Sequence, residues 1–153
     1  MNKSKMIAAL NKTVALEHAA TLQYQQHALL VRGLWRKVFS GYFAEQSKAS
    51  LSHAFSFSQK VVSLGGVPTI EIGSSVHQST DLKEMLQQDL ALERLAMKAY
   101  QGAHGLAEGN IALKTMLENQ IEEEQGDIEE LELYLEMVET KNVEQEVTLS
   151  RVK

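Results

Sequence analysis

Residues 117–138 read LENQIEEEQGDIEELELYLEMV. Leu117, Ile121, Glu124, Ile128, Leu131, Leu135 and Val138 recur there at alternating spacings of four and three. That spacing is one stripe of an α-helix that turns every 3.6 residues. Six of the seven stripe positions are apolar and one is a glutamate. A carboxylate on a buried seam costs several kcal/mol unless it neutralises, meets a cation or reaches water. The rest of the chain must therefore supply both the partners for the apolar stripe and a reason for Glu124.

Three further segments carry the same period. Ile7, Leu10, Val14, Glu17, Thr21, Tyr24, Ala28 and Val31 predict a helix over roughly residues 4 to 32. Phe43, Gln46, Ser50, His53, Phe57 and Leu64 predict a second over about 42 to 64, ending at Gly65-Gly66. Ser79-Thr80-Asp81, with Glu84 three residues after Asp81, offers a capping box for a third over about 81 to 107, with Leu86, Leu90, Glu93, Met97 and Tyr100 as its stripe. The fourth spans about 111 to 139. Residues 65–80 keep no helical period and contain Pro68, the only proline. A link of that length crosses a bundle from end to end, whereas the short links on either side join antiparallel neighbours. The expectation is an all-α, up-and-down four-helix bundle forming one domain over 1–153, with a long crossover between its second and third helices and a short C-terminal tail or small helix from Val143. Gly102, Gly105 and Gly109 mark a bend or end of the third helix, and Gly126, inside the fourth, suggests a close-packed neighbour.

Composition narrows the function classes. The 153 residues include 20 acids against 15 bases, a formal charge of −5 with the bases scattered, which argues against nucleic acid and suits cations. There is no cysteine, so thiolate ligands, thiol nucleophiles and disulfides are excluded. No apolar run resembles a signal peptide or membrane span. A cytoplasmic protein without membrane partners is the expectation.

Glu17, Ser50, His53, Glu93 and Glu124 all break apolar stripes, and every helix contributes at least one. Asp127, three residues after Glu124, joins the inward set. One glutamate on an apolar stripe is usually a rim residue near a helix end, and one histidine usually a satisfied core group. Carboxylates in the middle of three helices, facing a histidine on the fourth, instead form a set that needs counter-charge. His18, His27, His77 and His104 lie off this set, and Glu122 and Glu123 read as a solvated face.

At these residues the chain resembles a known family. Leu10-Asn11-Lys12, Glu17, Gln23-Tyr24 and His27-Ala28 are similar to the first helix of bacterioferritins, and Asp89-Leu90-Ala91-Leu92-Glu93 to their third, within a likeness running from about Leu10 to Leu135. The family supplies one Glu from the first helix, Glu-x-x-His from the second, one Glu from the third and Glu-x-x-His from the fourth. The resemblance implies Glu17, His53, Glu93, Glu124 and Asp127 as metal ligands for two iron ions per subunit, with Mn²⁺ as an alternative, and Tyr24 as the tyrosine beside the metals. Two positions depart: Ser50 stands for the bridging glutamate and Asp127 for the histidine. Leu51 stands where the family's haem-ligating methionine follows that glutamate, so no haem is expected.

The departures conserve charge but not symmetry. One carboxylate is lost at 50 and one gained at 127, leaving Glu124 as the lone bridge. One ion would see Glu93, Glu124 and Asp127, all oxygen, and the other Glu17, His53 and Glu124. Hard, all-oxygen sites favour Mn²⁺ or Mg²⁺, and the two positions are expected to fill unequally. Three functions follow from the resemblance: ferrous oxidation (ferroxidase activity) with iron storage in a homo-oligomeric shell; a non-catalytic metal-binding or structural subunit with a decayed site; or a small dimetal oxidoreductase.

Overall fold

A computed structural model describes the backbone of residues 1–150 and the side chains through residue 140. Four helices dominate it: α1 (Lys3–Leu30), α2 (Arg36–Ser63), α3 (Leu82–Leu106) and α4 (Ile111–Ser150), with a single 3₁₀ turn at Gly33–Trp35 between the first two. Among the described residues there is no strand. α1 packs along α2 and α3, and α3 along α4, which is the arrangement of a four-helix bundle.

Local chemistry sets the helix ends. Asn2 caps α1 by accepting from the Lys5 N–H at 3.1 Å. α2 closes with Gly65 at φ +86°, the Gly65 N–H bonded to the Val62 carbonyl and the Gly66 N–H to the Val61 carbonyl. This is the left-handed turn that glycine adopts without steric cost. Asp81 caps α3 by accepting from the Glu84 N–H at 2.9 Å. The Glu84 carboxylate accepts from the Ser79 hydroxyl, so the box closes through Ser79. α3 ends at Leu106, and Gly109, at φ +79°, turns the chain into α4. α4 does not stop near 139: it continues to Ser150, because residues 139–150 contain neither proline nor glycine to end it. The separate tail expected from Val143 is thus part of α4 as far as Ser150, and residues 151–153 lie outside the described residues.

The crossover lies extended along α1. Asn11 brackets it, donating to the Val67 carbonyl and accepting from the Thr69 N–H, both at 3.0 Å. Gln23 does the same to both backbone groups of His77, at 2.8 and 2.7 Å. Between them the Gly73 N–H donates to the Ala15 carbonyl at 2.7 Å. A Cβ on Gly73 would sit 2.9 Å from the Ala15 carbonyl carbon and 3.0 Å from Leu16 N, both backbone atoms that cannot step aside. Gly73→Ala is expected to lower stability by about 1–3 kcal/mol. Gly126 is the opposite case. No neighbour lies within 4 Å of a Cβ there, so the close packing expected from the sequence is absent and Gly126→Ala should stabilise by about 1 kcal/mol. Thermal melting of both variants checks the pair.

The core is two apolar clusters. One gathers Leu16, Tyr24, Phe39, Phe43, Leu86 and Leu131 among others, and the other Met6, Leu10, Val14, Phe57, Tyr100, Leu113 and Leu117. On α1, α2 and α4 one cluster gives way to the other between Val14 and Leu16, Phe43 and Ala54, and Leu117 and Ile128, whereas on α3 the two interleave from Leu92 to Tyr100. Ser50, His53 and Glu124 sit within those intervals, Glu17 follows Leu16 directly, and Glu93 stands at the start of the interleaved stretch.

Candidate metal centre

Glu17, Ser50, Glu93 and Glu124 are all buried, and His53 is half-buried on the α2 side. Glu17, His53 and Glu124 each present one donor atom, and the three atoms lie within 4.8 Å of one another. His53 Nδ1 is 3.6 Å from Glu17 Oε1, and its Nε2 points outward to Glu123 Oε2 at 3.1 Å. Glu93 lies within hydrogen-bonding reach of Glu124. Four groups from four helices therefore meet between the two apolar clusters.

Tyrosines hold the outer carboxylates. The Tyr100 hydroxyl donates to Glu17 Oε1 at 2.5 Å, and the Tyr24 hydroxyl donates to Glu93 Oε1. Both rings are buried, and burial followed by the adjacent carboxylates raises both phenol pKa values, so both stay protonated donors. Burial, and then the Glu93 and Glu17 charges, push the Glu124 pKa upward. Burial also raises Glu93, against the hydrogen bonds it accepts. His53 is raised as well: burial alone would lower it, and the Glu17 and Glu123 carboxylates outweigh that. Glu124 Oε2 is buried and receives no hydrogen bond from any N–H or O–H group among the described residues. Adjacent carboxylates with such an oxygen must share protons or a cation. The donor set, carboxylate oxygens with one imidazole nitrogen, fits a divalent first-row ion.

The other residues marked from sequence fall around this group. Asp127 is half-buried outside the tight cluster; Gln46 donates to its Oδ1 at 3.3 Å, and it lines an open groove between α2 and α4 with Glu45, Ser52, His53 and Glu123. Leu51 is exposed on α2. Three residues at the centre were not singled out from the sequence. Tyr100 was visible on the α3 stripe, but its hydrogen bond to Glu17 crosses to another helix. Glu123 was assigned to the solvated face, and it is exposed, yet it orients the His53 ring from outside. Gln120, buried one turn before Glu124, places its amide Nε2 3.0 Å from Glu124 Oε1 and 3.2 Å from His53 Nδ1. Its i, i+4 relation to Glu124 was the available signal.

A second buried polar group lies apart from the cluster. His27 Nδ1 is 2.9 Å from Asp89 Oδ2, both side chains being fully buried, and His27 Nε2 meets Gln23 Nε2 at 2.8 Å. The two His77 contacts fix the orientation of the Gln23 amide, so its nitrogen faces His27 Nε2, which also lies 3.1 Å from Gln88 Oε1. The Nδ1–H of His27 donates to Asp89 Oδ2. Burial pushes the Asp89 pKa up to about 6, against the pull of His27.

The model of the ferritin-like domain family matches residues 7–140. A bacterioferritin of Brucella melitensis biotype 1 is 25% identical over 136 residues, covering 88% of this chain and 84% of that protein. A crystal structure described as ferritin-like, diiron-carboxylate proteins from Bacillus anthracis str. Ames superposes with a TM-score of 0.83 at 29% identity, covering 88% of this chain and 99% of that one.

Proposed function

Because the chain belongs to the ferritin-like family, as a bacterioferritin-like member, we propose that it binds Fe²⁺ in the interior of the bundle, oxidises it there and stores the product in a homo-oligomeric shell in the cytoplasm. The observation that carries this reading is the group of Glu17, His53 and Glu124 donor atoms within 4.8 Å of one another, with Glu124 Oε2 unpartnered. Fe²⁺ is substrate and cargo here, and each ion gives up one electron to oxygen or peroxide. The residues of the chain do the rest. Glu17, His53 and Glu124 bind the first ion, and Glu93, Glu124 and Asp127 a second. Tyr24 and Tyr100 hold Glu93 and Glu17 in place, and the apolar clusters close the centre on either side, leaving it open only where His53 meets the α2–α4 groove.

Loading must displace the protons that the crowded carboxylates retain, since the Glu93 and Glu124 pKa values are raised. Fe²⁺ or Mn²⁺ binding near neutral pH is therefore expected to release protons and to tighten as pH rises. Calorimetry in buffers of different ionisation enthalpy measures that release. The fuller test is an anaerobic Fe²⁺ titration followed by admission of air, with a native mass on the same sample. The expected result is one ion bound before the second, ferric absorbance after oxygen, and a mass many times that of one chain. A protein that takes up no ferrous ion contradicts the reading.

A second reading, a binding subunit without turnover, is favoured by one observation. Asp127 is held by Gln46 outside the tight cluster, and Ser50 supplies no carboxylate, so the second position is the weaker one. Ferrous binding without faster oxidation than in protein-free buffer would select it.

A further inference from the structure

Gln120 is a neutral amide set against a carboxylate oxygen and an imidazole nitrogen. Both of its hydrogen bonds run through Nε2, to Glu124 Oε1 at 3.0 Å and His53 Nδ1 at 3.2 Å. Both contacts lie at the group where Glu17, His53 and Glu124 each present one donor atom, so a cation held there would compete with the amide for Glu124 and His53. Without an ion the amide presents its NH₂, because a carbonyl at the same place would be repelled by Glu124 Oε1. An ion at the same place reverses that demand. The two ends of a primary amide are nearly equal in size, so a half-turn about the terminal bond replaces the donor with the carbonyl oxygen at little packing cost. Gln120 also lines a second hollow between α2 and α4, beside Ser52, His53, Ser56 and Glu123.

We propose that Gln120 is a switching ligand: its NH₂ group closes the ion-free site by bonding Glu124 and His53, and its carbonyl oxygen joins Glu17, His53 and Glu124 on a bound divalent cation. This rests on the binding reading above and adds to it. It supplies a neutral oxygen donor from α4 in a site that lacks a carboxylate at position 50.

The test uses Co²⁺, whose visible spectrum reports the ligand set, with affinity from calorimetry and folding from circular dichroism. Q120L removes both ends of the amide. It is expected to bind Co²⁺ at least about tenfold more weakly than the unmodified protein, with an altered spectrum. Q120E keeps an oxygen at the same reach and should bind at least as tightly as the unmodified chain, which keeps the proposal testable if Q120L folds poorly. Binding by Q120L that is unchanged or tighter, with the same spectrum, overturns the proposal, and a tighter value would mean that Gln120 only competes with the ion. Weaker binding by Q120E overturns it too. If the unmodified protein binds no Co²⁺, the binding reading itself fails, an outcome distinct from equal binding by protein and variant.

Discussion

Glu124→Gln is expected to make the ion-free protein more stable at pH 8 while abolishing its stabilisation by divalent cations. The raised pKa of Glu124 means that the folded chain keeps its proton above the ordinary value of 4.5, where the unfolded chain has lost it. Stability falls with pH wherever the folded state binds more protons, so the window runs upward from that ordinary value. In the ion-free protein Tm should fall between pH 5 and pH 8. Gln has the shape of the protonated acid and nothing to lose, so the variant's Tm should vary less. One unit of raised pKa corresponds to about 1.4 kcal/mol, and each kcal/mol to about 2–4 °C of Tm in a chain of this size. The unmodified protein should gain about 2.7 kcal/mol from Mn²⁺ at a hundred times its Kd, and the variant almost nothing. Thermal melts at both pH values, with and without Mn²⁺, give all four numbers.

His27→Leu has the largest expected cost of any change outside the cluster. It removes the one donor to Asp89, whose other oxygen, Oδ1, is buried without a hydrogen bond already. Breaking one half of a buried pair of this kind costs about 3–5 kcal/mol, and the lower figure alone lowers Tm by about 6–12 °C. Much of that cost belongs to the stranded carboxylate. Replacing Asp89 by leucine in the same chain should therefore recover more than half of it, a coupling that a double-mutant cycle reads directly. Because neither residue belongs to the cluster, Mn²⁺ affinity should hold in every variant that folds. A drop in affinity with stability intact would show the pair to be part of the binding machinery.

These two cases mark where sequence reading reaches and where it stops. Periodicity finds polar residues on a largely apolar stripe: Glu93 and Glu124 stand between large apolar neighbours, and Glu17 and His53 have one each, in Val14 and Phe57. It cannot see across helices. Tyr100 is an ordinary stripe residue and Gln120 lies beside its stripe until the structure sets them against Glu124, His53 and Glu17. Asp127 shows the limit of spacing within one helix. Three residues advance the helix by about 300°, so the side chain is turned some 60° from Glu124. That turn carries it toward the α2 groove, where Gln46 meets it. The four-helix order was legible because glycine, proline and a capping box punctuate it. The run of α4 to Ser150 was not, since apolar periodicity fades after Val138 while the helix continues for want of any terminating residue.

If Glu17, His53 and Glu124 enclose the first ion as proposed, anomalous diffraction at the iron edge from crystals grown anaerobically with Fe²⁺ will locate it. The expected result is a peak bounded by those three side chains, stronger than any peak toward Asp127. Iron-edge density absent from the bundle interior, or found only in the α2–α4 groove beside Glu45 and Asp127, would contradict it.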